Sequence, residues 1–307
     1  MSVRIVTDST ADLSPQVAKE LGIEVVPVYV RFGDKSFKDG VEINHDEFYE
    51  RLVNGNILPV TSQPSPADFA KVYEELSKET DEIISIHVSG KLSGTYNSAL
   101  QGKKLVDNKC NVTVIDSESV TMGLGIITMS AARLALLNEK LSQILEDIKQ
   151  SIKNMHMMGA FDTLKYLALG GRIGKARALI GSALNVKPIL TMRTGELFPS
   201  GNVRTSTKAV ERLFDFVKNA LHIQELAVVY STTPNEAHNL LSRFSSFVNS
   251  ERLHLARLGP ALGTYGGPGM LAVTFKNDVS SEPLANPPAK KIIVPSLHLP
   301  KLNIPHR

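Results

Sequence analysis

Residues Ile83–Val106 read IISIHVSGKLSGTYNSALQGKKLV, an apolar run that passes through glycines and hydroxyls into a helical pattern. The run predicts a strand and the second half a helix, with Ser89–Thr95 as the turn between them. Such a turn aims backbone N–H groups and the positive end of a helix dipole at one point, so an anion is the expected occupant. Two motifs that would assign chemistry fail here on spacing. A P-loop needs Gly, four residues, then Gly-Lys-Ser/Thr; Ser89–Thr95 gives Ser-Gly-Lys and then Ser-Gly-Thr. A nucleophile elbow needs Gly-x-Ser-x-Gly; Gly90 stands three before Ser93, and Gly94 follows it directly. No glycine fingerprint for a dinucleotide follows Val3–Thr7 either. ATPase, serine hydrolase and dehydrogenase readings all lose their main warrant.

Outward from this turn, short apolar runs alternate with amphipathic segments as far as residue 150. VRIVT (3–7), IEVVPVYVRF (23–32), EIISIHV (82–88) and NVTVID (111–116) read as strands, with Pro27 marking an edge or bulge in the second. Ser14-Pro15 and Ser65-Pro66 each supply a helix cap and a first helical residue. The alternation predicts an α/β fold, a doubly wound, mainly parallel, Rossmann-like sheet. In LSQILEDIKQSIKNMHMMG, Ile144, Ile148 and Ile152 recur at helical spacing. Beyond it, glycine turns separate strands at KPILTM, GELFPSG, ELAVVYS, RLHLARL and MLAVTF. The expected organisation is an α/β domain over 1–154, an α+β domain over 155–276, and an extended proline-rich tail over 277–307.

Composition narrows the function. The 307 residues suffice for two cores, 42% are hydrophobic and 21% charged, and the net charge is only +3. General nucleic-acid binding therefore has no compositional support. One cysteine, Cys110, excludes an intramolecular disulfide framework and an all-cysteine metal site; it reads as a small structural residue. The eight histidines lack metal-ligand spacing, and His87, inside an apolar strand, reads as a satisfied core histidine. No signal core opens the sequence and no run approaches a membrane span, so a cytoplasmic location without stable membrane insertion is expected.

Hydroxyl-rich loops gather at the strand ends: Thr7-Asp8-Ser9-Thr10, Thr61-Ser62-Gln63, Ser89–Thr95 and Asp116-Ser117. In a doubly wound sheet such loops converge on one crevice, where neutral donors suit a carboxylate or phosphate. Ser, Thr and Asp are also the ordinary residues of caps and turns, and each loop alone admits that reading. Asp8 and Asp116 could form a metal or acid/base pair, or orient neighbouring loops, and the absence of a histidine cluster favours the second. Met155, Met157 and Met158 read as packing, although methionines also suit flexible apolar ligands. Further on, Gly170-Gly171 precede Arg172 and a small-residue segment read as a helix, and Arg204 stands before a helix start. Gly263, Gly266, Gly267 and Gly269 surround Tyr265, as close backbone approach requires.

Taken in order, IVTDSTADL, PVTSQPSP, HVSGKLSGTYNSA, VIDSESVTMGLG, GGRIGKA with LNVKPIL, NVRTSTKA and GPALGTYGGPG resemble the DegV family of bacterial fatty-acid-binding proteins over residues 3–275. The resemblance implies two domains with a ligand tunnel between them, holding one long-chain fatty acid, and no cofactor or metal. It implies a non-enzymatic carrier that presents the carboxylate to a partner fatty-acid kinase, which makes an acyl-phosphate for phospholipid synthesis. The family's carboxylate-binding hydroxyls fall on Thr61 and Ser93, beside Gly94 and Tyr265. Asp8, Ser9, Ser62, Asp116 and Gly267 fall in the supporting loops, and Arg172 and Arg204 at positions implicated in kinase engagement. Two features depart from the pattern. Tyr265 stands where a histidine is common, and a phenol donates a hydrogen bond without positive charge near neutral pH. The tail beyond Phe275 is also additional.

Two other readings make different demands. An enzyme acting on a small carboxylated or phosphorylated substrate needs a polar cleft and a strongly shifted carboxyl group near Asp8 or Asp116. A lipid-responsive regulatory sensor needs domain closure that follows lipid occupancy.

Overall fold

The computed structural model describes residues 3–106, 110–179 and 186–278. The first domain is built on four parallel strands, β1 (Arg4–Asp8), β2 (Ile23–Val26), β6 (Glu82–His87) and β7 (Asn111–Asp116), in the order β2-β1-β6-β7. β1 and β6 are apolar and buried on both faces, as central parallel strands must be. The order reverses between β1 and β6, so the crevice of a doubly wound sheet opens at the carboxyl ends of these two strands.

Helices α1 (Pro15–Glu20), α3 (Pro66–Leu76) and α4 (Thr95–Lys103) begin where the sequence marks them. Ser14 caps α1, and Ser65 and Asp68 close a capping box on α3. Pro27 has a larger effect than an edge or bulge. IEVVPVYVRF is two strands in two sheets: β2 ends at Val26, and β3 (Tyr29–Phe32) pairs antiparallel with β4 (Lys35–Lys38) and β5 (Val60–Ser62). Proline cannot donate to a ladder. The next N–H, that of Val28, leaves the sheet to donate to Ser9 Oγ at 3.0 Å. Helix α2 (His45–Asn54) packs on this small sheet through Phe48, Tyr49 and Leu52.

Helix α5 (Met122–Leu136) is apolar nearly all round and packs against both main sheets, as a central buried helix does. Helix α6 (Leu141–Lys153) buries Ile144 and Ile148. The MHMMG that follows extends not as helix but as strand β8 (Met155–Ala160).

β8 joins β9 (Lys187–Arg193), β10 (Glu196–Val203), β11 (Ile223–Tyr230), β12 (Leu253–Arg257) and β13 (Leu271–Asn277) in a six-stranded sheet ordered β10-β9-β8-β13-β11-β12. Only β11–β12 is parallel. Helices α8 (Ser206–Lys218) and α9 (Pro234–Phe244) cover one face through Leu213, Val217, Leu240 and Phe244. The other face joins a large apolar cluster that α5 shares with the first sheet. Two short helices, α7 (Lys165–Leu169) and α10 (Pro260–Gly266), lie in this shared region. The segment after Arg172 expected as a helix is a 3-10 turn over Gly174–Leu179; its continuation at 180–185, and the tail from 279, lie outside the described residues.

Candidate functional site

Between the sheets lies a cavity with about 740 Å³ of space free of protein atoms, open solvent at its mouth included. Its walls come from both domains. The first contributes Val28, Val88, Leu92 and Val120, the strand-end residues beside the crevice. The second contributes Met157 and Phe161 around β8, Leu167 of α7, Leu197 of β10, and Leu262 with Ala261 on α10. A wall of this composition binds by excluding water and fits a flexible apolar chain.

Polar groups gather at one end. Thr61, opposite Val30 in the small sheet, has Oγ1 2.5 Å from the Tyr265 hydroxyl. Ser93 lines the same cavity from the glycine turn, its Oγ 2.9 Å from Thr95 Oγ1 and accepting from Thr95 N–H at 3.3 Å. Gly94 occupies the N-cap of α4 and supplies no side-chain cap, so the helix start faces a polar recess lined by Lys91, Ser93, Gly94 and Arg172. Gln63 is so close that a Cβ on Gly94 would stand 2.6 Å from its amide nitrogen. Arg172 is fixed over this mouth. Its Nε donates to Leu92 O at 3.2 Å, Nη1 donates to Gly170 O at 2.7 Å, and the guanidinium lies 5.0 Å from the Tyr265 ring centre.

At the other side two threonines, Thr10 and Thr121, line the wall while their hydroxyls are drawn elsewhere. Thr10 Oγ1 donates to Asp8 Oδ1 at 2.5 Å, and Thr121 Oγ1 to Asp12 Oδ2 at 2.5 Å. Asp8 is enclosed, and its second oxygen accepts from Val88 N–H at 3.1 Å beside His87 Nδ1 at 2.9 Å. It thereby ties β1 to the turn after β6. Part of Asp12 reaches the surface, but its carboxylate is enclosed, and burial pushes it up to about 8. Asp39, which accepts from Ser9 Oγ at 2.8 Å, is pushed up to about 7 by burial.

Thr61, Ser93, Tyr265 and Arg172 thus meet at one mouth, with Gly94 beside them. Ser9 and Asp8 lie behind the wall. Asp116 also acts from behind: Oδ2 accepts from Gly90 N–H at 3.1 Å and Oδ1 from Glu118 N–H at 2.9 Å, so it shapes the glycine turn. Ser62 is exposed at the end of β5. Gly267 ends α10 at φ +69°, its Cα against the Tyr166 ring. Arg204 is exposed between β10 and α8 and is not among the residues lining the cavity. No motif or spacing in the sequence marks Asp12 or Asp39 as a site residue. Among the described residues no group of three or more His, Cys, Asp or Glu side chains is placed to hold a metal ion, and no helix is long and apolar enough to cross a membrane.

Comparison with known proteins bears on this arrangement. The chain is 35% identical over 277 residues to a DegV domain-containing protein of Caldanaerobacter subterraneus, covering 89% of this chain and 98% of the relative. It is similar in structure to a DegV family protein of Thermus thermophilus described by its fatty-acid binding (TM-score 0.84, 32% identity, 91% of this chain and all of the other). Bacillus subtilis DegV, described as a fatty acid binding protein, superposes with a TM-score of 0.81 at 30% identity, over 91% of this chain and all of the other. A protein of Eubacterium ventriosum described as binding stearic acid gives 0.82 at 25% identity, over 89% and 98%. The family model described as an uncharacterised protein of the DegV family matches residues 2–278, and with these relatives it establishes that the chain belongs to the DegV family.

Proposed function

We propose that this protein binds one long-chain fatty acid between its domains, its carboxylate at Thr61, Ser93, Gly94 and Tyr265. The observation that carries this reading is an apolar cavity with hydroxyls gathered at one end. Burying a chain of about sixteen carbons at about 0.8 kcal/mol per methylene gains roughly 10–12 kcal/mol before ordering costs. Hydrogen bonds to a charged head group add about 1.5–3 kcal/mol each. The chain thus dominates affinity, and the hydroxyls set its register. Asp116 shapes the glycine turn at that end, Ser62 adjoins Thr61, Gly267 ends the helix that carries Tyr265, and Asp8 and Ser9 hold loops behind the wall. The polar cleft that a small-substrate enzyme demands is not what Val88, Leu92, Phe161 and Leu262 build; shifted carboxyls do stand near Asp8, but these, Asp12 and Asp39, are not among the residues lining the cavity.

The carboxylate end opens beside exposed Arg172, which supports presentation of the acid to a partner. We assign that partner as a fatty-acid kinase, which forms an acyl-phosphate for phospholipid synthesis in the cytoplasm, with Arg172 and Arg204 engaging it. The test of binding is denaturing extraction of the purified protein followed by mass spectrometry. A stoichiometric long-chain fatty acid is expected; a protein that is empty, and stays empty after incubation with such acids, overturns the reading.

A further inference from the structure

Asp12 and Asp39 make no contact at the carboxylate end, yet both reach the start of the helix that carries Tyr265. Asp12 Oδ1 accepts from Gly259 N–H at 3.0 Å, and Asp39 accepts from Ala261 N–H. Gly259 is wedged between them: a Cβ there would stand 2.8 Å from Asp12 Oδ1 and 3.6 Å from Asp39 Oδ1. The remaining oxygens hold the first domain, Asp12 through Thr121 and Asp39 through Ser9. Each carboxylate therefore bridges a strand-end loop of one domain to α10 of the other.

We propose that Asp12 and Asp39 are positioning residues of the ligand site, a two-carboxylate latch that holds α10, with Leu262 and Tyr265, closed over the cavity and loosens when both carboxyls ionise. The proposal rests on the fatty-acid reading for the identity of what the wall encloses. Its physical basis is that two enclosed carboxylates close to a third cannot all be charged cheaply. Asp8 faces them from β1, itself held by His87 and Val88. From α2, Tyr49 donates to Leu258 O at 3.0 Å, and His45 Nε2 lies 3.2 Å from Arg257 O. Arg257 of β12 is turned outward to Asp46. Among the described residues no cation forms an ion pair with Asp12 or Asp39.

The sign follows from linkage. Both groups sit above their ordinary 3.8, at about 8 and about 7, chiefly through burial. The folded protein then holds protons that the unfolded chain has released. Their stabilising effect is complete below about pH 4 and is lost as the pH rises through the folded values.

The test is backbone hydrogen exchange at Gly263–Gly267, corrected for intrinsic rates, at about pH 6 and about pH 9. In the wild type, protection should fall about tenfold or more between the two. Asp12→Asn and Asp39→Asn keep an acceptor oxygen and cannot ionise, so each should flatten the profile, and Thr121→Val should loosen α10 at both pH values. A flat wild-type profile, or an equal fall in wild type and both Asn variants, overturns the proposal. Release of a fluorescent C18 polyene fatty acid should accelerate with pH in step with exchange, and release indifferent to pH while exchange changes also overturns it. A latch that responds in exchange although no fatty acid binds under any condition supports the latch and retires the fatty-acid reading instead.

Discussion

Tyr265 makes two contacts that a single substitution separates. Its hydroxyl pairs with Thr61, while its ring lies under the Arg172 guanidinium. Tyr265→Phe removes the first and leaves the second, because the cation is attracted to the ring face. Titration with a fluorescent fatty acid should show affinity lower by about ten- to a hundredfold, the value of one hydrogen bond to a charged group. Ser93→Ala should lose a similar factor, and both variants should still bind through the chain. Full affinity in both would remove the hydroxyls from the head-group role. Hydroxyls beside glycines at a strand end are a local pattern that the sequence displays, while their head-group role is implied by the family resemblance. Asp12 and Asp39 were not. What makes them unusual is their meeting under Gly259, well over 200 residues away in the chain, and no local pattern records it.

At the scale of elements, strands and caps followed the sequence closely, since apolar alternation and Ser-Pro starts act locally. The exceptions have identifiable causes. Pro27 separates two runs of good strand formers, and they belong to different sheets, the Val28 N–H between them being given to Ser9 Oγ rather than to a ladder. MHMMG continues a helical segment in composition, but Asn154 ends α6 and Met155 pairs with Lys276. Helix α10 depends on the residue that caps its end. Gly267 combines φ +69° with ψ 179°, a region essentially reserved for glycine, and a Cβ there would stand 2.2 Å from Tyr166 Cδ2. Gly267→Ala should therefore cost about 1–3 kcal/mol from the backbone alone, measured by chemical denaturation, and weaken fatty-acid binding through displaced Tyr265. A variant with wild-type stability would show that the α10 terminus can rearrange freely.

For the whole molecule, α5 and the cavity pose a common problem. The helix buries Leu124, Ile126, Ile127 and Met129 between two sheets, so the domains share one apolar cluster rather than meeting at a polar interface. The cavity interrupts that cluster, and its wall residues arrive a few at a time from many separate elements. That is why the two-domain α/β plan could be read from the sequence while the tunnel wall could not: each lining residue is locally an ordinary core residue. On the proposed function it also makes the ligand part of the core. A fatty acid filling this space replaces missing contacts on both sides, and it stabilises only the folded state, which alone has the cavity. Free ligand at about 100 times Kd is worth about 2.7 kcal/mol, and in a chain of this size each kcal/mol moves Tm by about 1.5–2 °C. Delipidated protein should thus melt roughly 4–5 °C below the filled form. Adding back a C16 or C18 fatty acid should restore the difference, and a short-chain acid with the same carboxylate should not. If the short acid restores Tm as well as the long one, the hydroxyl end rather than the apolar wall holds the domains together, and the cavity is not completing their shared core.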